Sequence, residues 1–482
     1  MKKWLFIVHR WIGIFTCLLF AIWFLSGLVM VYVPFPQLER AEELASLPEI
    51  TYDQVRIQPD DAARKVATDS PQLLRLEMQG DQPVWRVETW EGEERVVSAS
   101  SGVTIESVDG AEASRLASVF GNAPALQVEA LERDQWTVPG RFDGHRPLWK
   151  VTLAGAGERV LYVSSRTGAV VLDTSARERF WNWIGSVPHW IYPTVLRQEP
   201  EAWRQVVMWT SGVCILGAIT GAWIGILRVR LGRRRFEDGR AIPYRGSMAW
   251  HHIAGLVGGV TLISWILSGW LSVDPFHFFA SPGIRLADEQ GYAGFAKPPE
   301  IDWVAVGALA RGSRRIELLW VAGVPLLLVY SPTRPRLVLN ATTLVPAFPL
   351  GREFLPAAGR LVPGAHVASV ETLTQPDVYW YEARGKPALP VVRLRFDDPA
   401  GTWVHLDANS GQVLGTMDRR ARAYRWAFDL LHKWDLNFLT RQPALRETLL
   451  WMLSTIGLVT SFTGIWIGWK RLRIMKANGS HR

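Results

Sequence analysis

The chain has 482 residues, 48% of them hydrophobic, with 25 tryptophans and a formal net charge of +8. Its basic excess sits in short segments beside long apolar runs. That pattern is a membrane rim that fixes topology and touches anionic lipid, and it excludes a nucleic-acid-binding role, for which no motif is present.

Four stretches carry no charged residue: between Arg10 and Glu39, between Arg204 and Arg228, between Arg245 and Asp274, and between Glu447 and Lys470. Each holds an apolar run of about 20 residues or more, enough to cross roughly 30 Å of hydrocarbon. In chain order this predicts a cytoplasmic end and first span over 1–34, an outer domain over 35–174, a juxtamembrane segment over 175–204 and a second span over 205–228. A cytoplasmic loop over 229–248, a third span over 249–272, a second outer domain over 273–416, a juxtamembrane segment over 417–446, a fourth span over 447–469 and a tail over 470–482 complete the order.

The opening MKKWLFIVHRWIGIF has the basic head and apolar centre of a secretory signal. The run from Trp11 to Val33 is too long for one, however, and PFPQLER offers no small-residue cleavage site, so an uncleaved anchor is expected. The two ends and the 228–245 link hold 15 basic residues against only Glu237 and Asp238. By the bias of Lys and Arg towards cytoplasmic loops, both termini and Arg234 face the cytoplasm, and Gly110 and Gly351 face the other side. Cys17 and Cys214 both lie inside spans, so the outer domains are expected to hold together without disulfides.

Each insertion alternates helical and strand patterns. PDDAARKVATD reads as a helix and LLRLEMQ, VWRVETW and ERVVSASSG as strands; EASRLASVF is helical again, and LWKVTLA, RVLYVSS and AVVLDT alternate as strands around a turn at Arg166 to Gly168. The second insertion repeats the style with IELLWVAG, LLLVYSP, RLVLNATT, VVRLRFDD and TWVHLDANSGQVLGT. The expectation is two small α+β modules per insertion, with antiparallel sheets.

The two halves also repeat one another. WNWIGSVPHWIYPTVL leads into a span ending TGAWIG, and RWAFDLLHKWDLNFL into one ending TGIWIG; His189 and His432 each lie 31 residues before the Thr of that ending. HRWIGIFTCLLFAIWFLSG aligns with HHIAGLVGGVTLISWILSG, placing His9 on His251 and Ser26-Gly27 on Ser268-Gly269. The fold class read from this is a membrane α-helical protein, four transmembrane helices in two parallel repeats, with extracytoplasmic α+β domains.

LYVSSRTGAVVLDT and VHLDANSGQVLGT look like the strand-turn-strand end of a PepSY module, and HRWIG, WHHIAG, VPHW and LHKW resemble the motifs of PepSY-associated transmembrane proteins over nearly the whole chain. That resemblance implies a bacterial cytoplasmic (inner) membrane location. It also implies kinship with dihaem ferric-siderophore reductases: a redox role in iron uptake, with a ferric siderophore or another extracytoplasmic acceptor as substrate. Beside it stands the chemistry of the residues. Ionisable side chains in a membrane are costly and mark functional sites, and neutral imidazole is an axial ligand for haem iron. His9 with His251 and His189 with His432 form two repeat-matched pairs, each suited to one non-covalent b-type haem (heme b) in a four-helix bundle. His252 competes with His251 for the inner position. Arg179 and Arg422, each ten residues before a histidine of the outer pair, are candidates for a haem propionate or an anionic substrate. His145, His277, His366 and His405 have ordinary surface or core roles as the expected reading.

No C-x-x-C-H, P-loop, strand-linked G-x-G-x-x-G, zincin motif or nucleophile elbow occurs. The electron donor is therefore not written in a motif, and a quinol and a soluble cytoplasmic reductase are both open. Two function classes follow: a transmembrane haem oxidoreductase, and a non-enzymatic membrane sensor whose PepSY-like modules bind peptide or protein.

Overall fold

The computed structural model describes residues 2–68, 70–232, 235–347, 354–381 and 388–479. Arg233, Arg234, Gly351 and Arg482 lie outside the described residues. The chain forms two compact units. One comprises Met1–Phe35, Glu178–Ala280 and Ala421–Arg482, the other Pro36–Arg177 and Ser281–Arg420.

The first unit is helical. Lys3–Tyr32, Pro200–Arg228 and Pro443–Met475 are each long and apolar enough to cross a membrane. The third span departs from the continuous helix expected over 249–272: Gly246–Val257 and Gly259–Leu271 meet at a 64° bend. The break falls at Gly258, where a Cβ would lie 2.8 Å from Cγ2 of Ile456, so the adjoining glycines both permit the fourth helix to approach and weaken the ladder. The first helix packs on the second and fourth, and the bent pair packs on the same two, so the first and third spans stand on one diagonal of a four-helix bundle. Phe20, Phe24, Cys214, Ala218 and Ile266 form its core. Phe15, Leu18, Trp209 and Val260 are exposed on the outward faces, the surface a lipid solvent requires. Both cysteines are free and buried.

The second unit is built on three antiparallel sheets. One four-stranded sheet orders Ala125–Leu131, Leu148–Leu153, Val160–Ser164 and Val170–Thr174, and another Val367–Leu373, Val391–Phe396, Trp403–Asp407 and Val413–Met417. The remaining strands do not make two further modules, as the sequence patterns suggest. They join in one seven-stranded sheet, in the order Leu337–Asn340, Val324–Tyr330, Arg315–Val321, Leu73–Gln79, Gln82–Glu88, Glu94–Ser98 and Thr104–Ile105. The seam pairs Leu74 with Leu318 and Leu76 with Ile316, so each insertion completes the other's sheet. Leu74, Leu76, Trp85, Ile316, Leu318 and Leu327 are fully buried on it. Glu77, buried at the same seam, meets Arg86 at 2.5 Å and Arg315 at 2.7 Å, and Arg315 reaches on to Glu43. Burial alone would raise the Glu77 carboxyl; Arg315 and Arg86 overcome it and hold the group down at about 2.

Candidate functional site: two opposed histidine pairs

His9 rides on the first helix near its start, and His251 on the first segment of the bent third span. Their ring centroids lie 6.4 Å apart across the bundle, with planes inclined at 40°. At the other end, His189 closes the short helix Ser186–His189 and His432 sits in Leu431–Lys433; these rings are 6.1 Å apart at 70°. Two imidazole nitrogens, each about 2 Å from one metal and opposed across it, put their ring centres about 6.3 Å apart. Both separations fit a single metal centre between facing rings.

Each ring is held in the same manner. His9 Nδ1 lies 3.1 Å from the Gly217 carbonyl and 3.4 Å from the Thr220 hydroxyl; His251 Nδ1 lies 2.9 Å from the Thr460 carbonyl and 3.3 Å from the Thr463 hydroxyl. His189 Nδ1 meets Ser26 Oγ at 3.0 Å, and His432 Nδ1 meets Ser268 Oγ at 3.1 Å and the Trp265 carbonyl at 3.2 Å. Both serine hydroxyls donate to a carbonyl three residues earlier, Ser26 to Trp23 and Ser268 to Trp265, so each accepts from the imidazole Nδ1–H. Nδ1 is thereby the protonated nitrogen, and the Nε2 lone pair is left for a metal. Burial pushes His189 down to about 3 and His432 to about 4, which keeps both imidazoles neutral, the ligating form.

Glycine makes room for each ring. A Cβ at Gly221 would stand 2.7 Å from His9 Cε1, one at Gly464 3.2 Å from His251 Cε1, one at Gly27 3.2 Å from His189 Cε1, and one at Gly269 3.4 Å from His432 Cε1. The repeated Ser-Gly and Thr-Gly dipeptides are therefore the seats of the histidines: a hydroxyl for Nδ1, then a bare backbone under the ring. Sequence reasoning used these dipeptides as repeat markers and passed over them as site residues.

The loops that deliver the outer pair share a backbone shape. Ile191 and Trp434, each two residues past its histidine, both take left-handed conformations, at φ 50° and 53°. A π turn at Arg425–Leu430, a form common at functional sites, precedes His432. That loop is tied by a buried Arg425–Asp435 ion pair at 2.8 Å and by Arg446 donating to the Lys433 carbonyl at 3.1 Å. In the loop of His189, Asn182 Nδ2 donates to the Pro34 carbonyl at 2.9 Å, and Ser186 Oγ donates to Asn182 Oδ1 at 2.6 Å.

Of the other candidates, His252 does not face His9; it is buried against Tyr244, with ring centroids 5.2 Å apart. Arg179 and Arg422 are half-buried, on helices preceding the outer pair. His405 accepts from Arg393 Nε at 2.8 Å inside a sheet, while His366 and His277 are exposed. No group of three or more His, Cys, Asp or Glu side chains suited to a bare metal ion occurs among the described residues, so ligation here rests on the pairs. A family model described as the PepSY-associated TM region matches residues 6–323, from the first helix into the second insertion. No curated protein matches the chain.

Proposed function

Because the chain belongs to the PepSY-associated transmembrane family, we propose that its two histidine pairs carry two b-type haems and that it conducts electrons across a bacterial inner membrane. The observation that carries this reading is the two ring pairs, 6.4 Å and 6.1 Å between centroids, in which a carbonyl or hydroxyl takes each Nδ1 and leaves Nε2 for a ligand. The halves are read as parallel repeats about an axis along the membrane normal, so partners in each pair are symmetry mates. From His9 to Gly27 the first helix rises about 27 Å at 1.5 Å per residue, which sets the two pairs near opposite faces of the hydrocarbon. Bound haem supplies one-electron iron chemistry, which side chains alone do not. The chain's part is to fix the imidazoles, keep them neutral and exclude water with the aromatic core between the levels. The folded outer unit then docks the acceptor, a ferric siderophore on the strength of the family resemblance. The donor is a quinol or a cytoplasmic reductase, and both termini are cytoplasmic.

The purified protein tests this. A visible spectrum with pyridine haemochrome quantification should give two haems per chain, extractable by acid and organic solvent. A ratio near one would mean that one pair is structural. A protein without haem bands would overturn the reading and favour a non-enzymatic membrane sensor.

A further inference from the structure

His252 is the side chain at the inner site that the arrangement above leaves without a task. It is 7% exposed, and its Nε2 is buried with no hydrogen-bond partner among the described residues. A polar atom in that state costs free energy unless a partner completes it. Its place limits what the partner is. On the helix His252 lies about 100° round from His251, so it cannot share that residue's axis toward His9. It shares a face with Leu256, four residues on, and Leu256 packs on Gly225 of the second helix, where a Cβ would fall 2.8 Å from Leu256 Cδ2. His252 therefore lies toward the gap between the second and third spans, beside the opposed pair and at its cytoplasmic end. A flat group held between His9 and His251 extends its edges into such flanking gaps.

The matched position in the first half is Arg10, which follows His9 as His252 follows His251. Arg10 makes no hydrogen bond or ion pair among the described residues. A guanidinium and an Nε2–H imidazole share one property: both donate to an anion. They stand on opposite flanks of the inner pair, His252 toward the second span and Arg10, whose neighbour Ile14 packs on Gly468, toward the fourth. They therefore suit a ligand whose two acidic groups share the edge turned to the helix ends between them, and b-type haem carries two carboxylates on one edge.

We propose that His252 and Arg10 bind the two carboxylates of the inner haem, with His252 donating from Nε2 and taking no part in iron ligation. This rests on the dihaem reading and adds to it the anchor of one cofactor. A hydrogen bond to a charged group is worth a factor of roughly ten or more in retention.

Purified holoprotein mixed with excess apomyoglobin reports haem release, and a redox titration of the same sample reports both midpoints. His252→Leu should release one haem roughly tenfold faster and move one midpoint, while both haems keep bis-histidine spectra. His252→Gln, which retains a donor, should return release toward the unsubstituted rate, and Arg10→Leu should act on the same redox transition. Unchanged release and midpoints in His252→Leu would sink the proposal while leaving the two haems in place. If His252→Leu loses a bis-histidine signal that His251→Ala keeps, His252 is the iron ligand and the anchoring role is wrong. Absence of haem from the unsubstituted protein would remove the dihaem reading itself, an outcome distinct from either.

Discussion

At the four histidines, the decisive contacts are those that bear on the rings from other helices. Gly221→Ala puts a methyl 2.7 Å from His9 Cε1, closer than packed carbons tolerate, so the ring must move out of opposition with His251. On the dihaem proposal, the expected result is loss of one haem of two by pyridine haemochrome, with the other spectrum unchanged. Ser26→Ala takes away the hydroxyl that holds His189 Nδ1 at 3.0 Å; partners of this kind typically change metal affinity by roughly 10–100-fold. Haem transfer from that variant should quicken within this range, and an unchanged rate would argue that the hydroxyl does not orient the ligand. The histidines themselves were legible because the repeat aligns them. Their Ser-Gly and Thr-Gly seats stood in the same alignment, yet a seat is defined by contact between helices, which linear spacing does not display. That His251 and not His252 faces the ring of His9 likewise needed the facing helix.

Among the elements, most strands were read from their alternation, the edge strands Val170–Thr174, Leu337–Asn340 and Val413–Met417 among them, and two longer ones were not. Ala125–Leu131 and Val367–Leu373 lie at the outer edges of their four-stranded sheets and are largely exposed, so neither presents an apolar face to reveal it. The seven-stranded sheet was hidden for another reason: its seam joins residues more than 200 positions apart, and local patterns carry no pairing information. That seam is where stability is open to test. Leu318→Ala, at a fully buried position paired with Leu74, should cost about 2–5 kcal/mol, read by urea denaturation of the sheet-bearing unit in the intact protein. The ion network beside it predicts a pH dependence of known sign. Glu77 has its carboxyl lowered from 4.5 to about 2 on folding, so its stabilisation is fully present above pH about 4.5 and is lost as pH falls toward 2. Limited proteolysis across that window should show protection falling in the unsubstituted protein. Glu77→Gln should begin weaker at neutral pH and vary less.

For the molecule as a whole, the charge distribution predicts the sidedness of the chain. A label at Arg240 and one fused after the fourth span should report the cytoplasm, and a label at Gly110 the outer side; a C-terminus reported outside would sink the four-span arrangement. The seam also has a meaning in time. Strand Leu73–Gln79 leaves the ribosome well over 200 residues ahead of its partner Arg315–Val321. At roughly 5–20 residues per second, that is an interval on the order of tens of seconds. Throughout it, the first insertion has an unpaired strand edge and a half-built core, open to proteases and to mispairing with other chains. The nascent protein therefore calls for an escort of the first insertion during synthesis, or for a pace of translation quick enough to bring the second half before the first is lost.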